Sequence, residues 1–232
     1  MSFGSQLSLG LELNYSKTLD SFYPGSNLEL VKAIEALLQG QSENFIYIFG
    51  PLGLGKSHLL QAACHEAKRL CVSALYFSLA EVVLHPEAAL ENLEDLSLVC
   101  LDDLDAIAGN PEWEEKLFHL FNALRAKGHH LLVAATRPAR DLPLTLEDLK
   151  SRLSWGLTFK IHALTDHDLS QAFLARAQWH GLVVPPDVIE FLMNRLPRST
   201  QGMMDVFDRL NAASMIEQRK LTLPFVKQVL NL

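Results

Sequence analysis

The sequence predicts a doubly wound α/β fold, with a parallel sheet and a small all-helical domain at its C-terminal end. Three observations carry this expectation. A glycine-rich loop sits between an apolar run and a helix-forming run. Apolar runs alternate with helical patterns from residue 45 to 161. No strand pattern appears after Thr165.

The loop is Gly50–Ser57, Gly-Pro-Leu-Gly-Leu-Gly-Lys-Ser, which fits the P-loop pattern G-x-x-x-x-G-K-[ST] at every fixed position. Before it runs Phe45-Ile46-Tyr47-Ile48-Phe49, which reads as a buried parallel strand. After it, Ser57-His58-Leu59-Leu60-Gln61-Ala62-Ala63 holds no helix breaker. Glycines let backbone N–H groups turn inward on a polyphosphate, and the new helix points its positive end at it. The motif assigns Pro51, Leu52, Gly53, Leu54, Gly55, Lys56, Ser57 and His58 to nucleotide binding. Lys56 reaches the β- and γ-phosphates, and Ser57 holds Mg²⁺.

Bulk composition limits the alternatives. Of 232 residues, 49% are hydrophobic and 20% charged, enough for a sizeable core and against wholesale disorder. A net charge of −7 argues against a broadly basic nucleic-acid-gripping surface, so no strong direct nucleic-acid binding is expected. Cys64, Cys71 and Cys100 are odd in number and lack metal-ligand spacing, and read as reduced core residues of a cytoplasmic protein. No run is long enough to span a membrane, and no signal-peptide shape opens the chain.

In chain order, Gln6–Leu13 alternates apolar and polar residues. It reads either as an edge strand or as an extended tail whose Leu7, Leu9 and Leu11 enter pockets on a partner. Phe22, Tyr23, Pro24 and Gly25 precede a helix over Leu28–Leu38. These aromatics can pack on a nucleotide base or equally in the core. Ser73–Ser78 is the second strand, and Glu81–Leu93 a helix interrupted near Pro86. Leu96–Asp103 is an apolar run ending in two carboxylates, the Walker B form. Asp102 would hold Mg²⁺ through water, and Asp103 would orient the attacking water. Trp113–Lys127 is helical. Leu131–Thr136 is a strand with a polar end, Asp148–Ser154 a short turn with Lys150 and Arg152, and Thr158–Ile161 the last strand. Thr165-Asp166-His167-Asp168 resembles a capping box, Gly181 ends that helix, and helices follow near Pro186–Leu196, Thr200–Arg219 and Thr222–Leu230. The boundaries expected are a tail over 1–18, a nucleotide-binding domain over 19–163 and a lid over 164–232, with a hinge at His162–Leu164.

These pieces, in this order, resemble the AAA+ ATPases, a group of P-loop NTPases, and within them the DnaA-related family, most closely its shortened Hda members. The likeness rests on Gly53–Leu60, Leu101-Asp102-Asp103, Phe118-His119, Phe121–Leu124, Leu149–Gly156 and Arg219–Lys227, and spans about residues 14–232. It implies that Arg152 is an arginine finger, inserted into a neighbouring subunit's ATP site. It implies that Thr136 stands where γ-phosphate or water is sensed, and that Gln201 replaces a lid arginine. Asp148 replaces another arginine, which argues against filaments. The chain stops where DnaA continues into a DNA-binding domain, so the expectation is a regulator and not an initiator. Gln6, Leu7, Leu9 and Leu11 look like the peptide that docks on the DNA polymerase III β sliding clamp. The implied partners are DnaA and that clamp, with no membrane; homo-oligomerisation is left open. The implied cofactor is ADP or ATP with Mg²⁺, and hydrolysis is directed at DnaA-bound ATP. The rival expectation is a helicase loader that hydrolyses its own ATP.

Overall fold

The computed structural model describes residues 13, 14, 16–83, 90, 92–196 and 199–232. Five strands form one sheet: β1 (Phe45–Phe49), β2 (Ala74–Ser78), β3 (Leu98–Asp102), β4 (His130–Ala135) and β5 (Leu157–Lys160). All four pairings are parallel, in the order β2-β3-β4-β1-β5. Helices α1 (Leu28–Leu38), α2 (Lys56–Arg69), α3 (Leu79–Val82), α4 (Pro111–Lys127) and α5 (Glu147–Leu153) accompany it. α6 (Asp166–Trp179), α7 (Pro186–Arg195), α8 (Thr200–Glu217) and α9 (Leu223–Leu230) follow. Among the described residues no helix is long and apolar enough to cross a membrane.

The runs that looked uniformly apolar divide by the strand period of two. Phe45, Tyr47, Val99, Leu101, Leu131 and Val133 pack in one cluster with Trp113, Leu117 and Leu124 of α4 and Leu149 and Leu153 of α5. Their neighbours Ile46, Ile48, Leu98, Cys100, Leu132 and Ala134 pack in a second cluster with α1 and α2. Both faces are therefore covered, as a doubly wound sheet requires. A third cluster, around Phe173, Phe207 and Phe225, holds the C-terminal helices together.

Most element boundaries fall within two residues of expectation. α4 starts earlier than expected, at Pro111, because the Asn110 side chain accepts from the N–H groups of Glu112 and Trp113 and Pro111 fits the first helical position. The capping box at Thr165–Asp168 is present in full. The helix expected over Glu81–Leu93 differs. α3 is one turn beginning at Leu79, Leu93 belongs to a 3-10 turn ending at Asp95, and 84–89 lie outside the described residues. Cys71 is also a correction. Cys64 and Cys100 are buried, but Cys71 is exposed with φ of 58° just past the end of α2, where the chain must turn back.

Two internal pins fix where the later elements lie. Glu114 on α4 is fully buried, and its carboxylate accepts from the N–H groups of Gly109 (2.7 Å), Thr145 (2.8 Å) and Leu146 (2.7 Å) and from the Thr145 hydroxyl (2.8 Å). It thereby sets the approach to α5, the helix that carries Arg152. Asn27, before α1, accepts from the His162 N–H at 2.7 Å and donates to the His162 carbonyl at 3.0 Å, pinning the crossing into the C-terminal helices.

Replacing Glu114 by Ala removes the buried acceptor of four part-buried hydrogen bonds. The expected outcome is a loss of about 3 kcal/mol or more in urea unfolding. A loss below about 1 kcal/mol would show that the loop finds other partners.

Candidate functional site

The site forms where β1 and β3 end, at the carboxyl edge of the sheet. The loop after β1 turns through positive φ at Gly53 (77°) and Gly55 (100°). At Gly55 a Cβ would lie 2.9 Å from the Phe22 ring, so both the backbone angle and the close approach of Phe22 demand glycine there. α2 begins at Lys56. Its ammonium is buried and donates to the loop's own carbonyls, Gly50 at 2.6 Å and Pro51 at 2.8 Å. Burial lowers the Lys56 pKa, and the carboxylates of Asp102, Asp103 and Asp105 oppose that fall. All three acids therefore lie within electrostatic reach of one lysine.

Each acid has a distinct hold. Asp102, at the end of β3, is 1% exposed. It accepts from the Tyr76 hydroxyl at 2.9 Å and from the Asp103 N–H at 3.0 Å. Asp103 stands in the left-handed region (φ 56°) and accepts from Ser78 Oγ at 3.1 Å; burial, then Asp102, raises its pKa. Asp105 accepts from both the N–H (2.7 Å) and the hydroxyl of Thr136, just past β4. With its proton directed at Asp105, the Thr136 hydroxyl offers only lone pairs outward. That suits accepting from a water better than donating to a phosphate oxygen.

The remaining predicted residues group in two places. Phe22 lies edge-on to His58, with centroids 5.4 Å apart, and lines a cavity with Tyr23, Leu54 and Gly55. The His58 Nε2 lies 2.9 Å from the Thr18 carbonyl and 3.2 Å from Ser21 Oγ, so its ring anchors the preceding segment. Burial pushes its pKa down to about 4. Gln201 approaches the loop beside Gly53, but its amide donates to Asp205 at 2.7 Å. Ser57 is the second residue of α2, whereas Pro51, Leu52 and Gly53 form the exposed crest of the loop.

Arg152 takes no part in this cluster. Its guanidinium carbon lies 4.2 Å from the centre of the Trp155 ring, and that of Arg125 lies 4.5 Å from the same ring. Among the described residues neither arginine side chain has a hydrogen-bond or ion-pair partner. Trp155 is 57% exposed. Gly156 presses on Phe45 so closely that a Cβ would lie 2.4 Å from its backbone, which fixes where the tryptophan emerges. An indole face holds a guanidinium while leaving its charge and its N–H fork free; a carboxylate would occupy both. Gln6, Leu7, Leu9 and Leu11 lie outside the described residues.

Sequence reasoning missed Tyr76, Asp105 and Glu114. The two-residue step from Asp103 to Asp105 was a visible signal; Tyr76 and Glu114 gave none, because Asp102 lies 26 residues from Tyr76 and Thr145 and Leu146 lie 31 and 32 residues from Glu114.

A family model of the bacterial DnaA ATPase domain matches residues 13–160, and one of the Hda lid domain matches residues 166–230. The chain belongs to the DnaA-related AAA+ family. Solved structures of DnaA-family and other AAA+ proteins share its fold. One is a replication initiator DnaA bound to AMPPCP and single-stranded DNA, at 24% identity and a TM-score of 0.74 over 89% of this chain and 69% of that one. Domain III of Thermotoga maritima DnaA gives 19% and 0.77 over 95% and 98%. The Thermotoga maritima RuvB Holliday junction branch migration motor gives 20% and 0.68 over 93% and 71%. At these identities the likeness is one of fold: a parallel α/β sheet followed by a helical lid.

His58 gives this DnaA-related fold a pH signature. Its folded pKa, about 4, lies below the ordinary value of 6.5, so the unfolded chain binds the extra proton between those values. This contribution to stability is present above pH 6.5 and is lost as pH falls toward 4, by up to about 3 kcal/mol. Urea unfolding across that window checks it; His58→Gln is expected to flatten the slope.

Proposed function

We propose that the chain is a negative regulator of DNA replication initiation, acting on the ATP held by DnaA. The observation that carries this reading is the state of Arg152. Among the described residues it is a guanidinium without a carboxylate partner, resting on an exposed tryptophan outside the chain's own acidic cluster, in a chain that joins a DnaA-type ATPase domain to an Hda-type lid. In this reading residues 1–18 are the tail whose Gln6, Leu7, Leu9 and Leu11 dock on the β sliding clamp, 19–163 the nucleotide-binding domain and 164–232 the lid. Docking raises the local concentration of Arg152 near DnaA without adding any contact at the catalytic interface.

The chain's own site fits ADP or ATP. The glycine cradle, the N-terminus of α2 and Lys56 suit a polyphosphate. Ser57 and, through water, Asp102 would hold Mg²⁺, which would supply neutralisation of phosphate charge. Asp103 and Thr136 stand to orient a water. Gln201 brings no charge from the lid, so self-hydrolysis is slow and the bound nucleotide acts chiefly to set the lid. In trans, the Arg152 fork neutralises charge on the transferring phosphoryl group of DnaA's ATP.

The test is hydrolysis of labelled ATP preloaded on DnaA, with this protein, ADP and DNA-loaded clamp added. Arg152→Ala is expected to lower the stimulated rate by about 10³-fold or more. Deleting residues 6–11 should abolish the dependence on clamp. The complete set of Lys56, Asp102 and Asp103 favours a second reading, a loader that consumes its own ATP. Persistence of DnaA-bound ATP while free ATP disappears would establish that one instead.

A further inference from the structure

Arg176 is a charged group of the lid that the reading above leaves without a task. It lies on α6 with its side chain 17% exposed. Its Nη2 donates to Asp208 at 2.8 Å, and its Nη1 lies 3.6 Å from the Met204 sulfur. The guanidinium carbon is 5.1 Å from the centre of the Phe207 ring. The Nε atom is buried and, among the described residues, has no hydrogen-bond partner. A buried N–H without an acceptor carries a free-energy cost, and such groups in native proteins call for an explanation, an absent ligand among them.

The surroundings say which ligand. Arg176 lines the cavity that Phe22, Tyr23, Leu54 and Gly55 close from the α/β side and Met204 closes from the lid. Its charge is felt at His58, in the first turn of α2. The cavity thus abuts the phosphate loop, and its walls are aromatic and apolar apart from a few polar groups. A narrow apolar slot with a fixed donor at its edge suits a flat ring that carries an acceptor.

We propose that Arg176 reads the base of the nucleotide bound in the phosphate loop. The N–H groups of its fork that Asp208 leaves free donate to a ring acceptor, and Asp208 holds the guanidinium in the required orientation. This rests on the reading above that the chain binds a nucleotide. It gives the lid a cationic contact with the ligand through α6, in place of the one that Gln201 does not supply from α8. The base then joins α6 to the α/β unit, so that loss of the nucleotide releases the lid at this point.

Calorimetric titration of the full chain tests this, using the four common ribonucleoside diphosphates and inorganic pyrophosphate. The variants are Arg176→Met, Arg176→Lys and Lys56→Ala. Arg176→Met is expected to weaken the preferred diphosphate about tenfold, to level the preference among the four, and to leave pyrophosphate within about twofold. Arg176→Lys should not restore binding, because an ammonium lacks the guanidinium fork. Should Arg176→Met fail to fold, Asp208→Asn carries the test, with a loss of about threefold for the preferred diphosphate and none for pyrophosphate. Equal binding of that diphosphate by wild type and variant would overturn the proposal, as would parallel losses for it and pyrophosphate, which mark a phosphate contact. If the wild-type chain, like Lys56→Ala, binds none of these ligands, the nucleotide reading itself is wrong.

Discussion

An excess of negative charge at the carboxyl edge of the sheet constrains everything around it. Asp102, Asp103 and Asp105 gather within reach of Lys56, whose ammonium is already hydrogen-bonded to two loop carbonyls. Three carboxylates against one buried ammonium is an unbalanced arrangement. The protein holds it by supplying each acid with donors: Tyr76 for Asp102, Ser78 for Asp103, Thr136 for Asp105. Those donors come from β2 and from the end of β4, so the order of strands in the sheet is what brings them to the acids. The residual charge makes the edge a place for cations, and the N-terminus of α2 beside it a place for anions. A metal-chelated polyphosphate satisfies both at once.

Arg152 shows the opposite solution. Among the described residues it has no ion-pair partner, and its position comes from a ring and from the buried Glu114 that anchors the approach to its helix. The two halves of the chemistry, an acidic site and an unspoken-for guanidinium, are thus kept apart within one chain. That separation is what an arrangement acting across a subunit boundary requires.

The features legible in the sequence were those written in consecutive residues. The glycine loop, the five strand runs, the Asp102-Asp103 pair and the Thr165–Asp168 box each occupy a few adjacent positions, and each falls at the expected point in the order of elements. What escaped was written across the chain. Nothing in consecutive residues marked Glu114, whose carboxylate meets Thr145 and Leu146 from a distant loop. Nor did anything in consecutive residues mark Arg176, whose partner Asp208 lies 32 positions further on. Cys71 was assigned to the core by residue type, but the αL turn that closes α2 brings it to the surface. Sequence periodicity reports which face of an element is apolar. It carries no record of which polar group on that face will be satisfied by a distant strand or loop.

The contact of Asn27 with both backbone groups of His162 has a mechanical consequence. Held there at two points, residue 162 is tied to the turn ahead of α1, so a rotation of the C-terminal helices would have to pivot beyond it. Gly25, two residues before Asn27, lies so close to Leu164 that a Cβ would meet it at 2.7 Å. The turn ahead of α1 thereby lies where it would act as a doorstop for any swing of the C-terminal helices toward it. Anything that grips this turn from outside sets how far the door can swing, without touching the nucleotide.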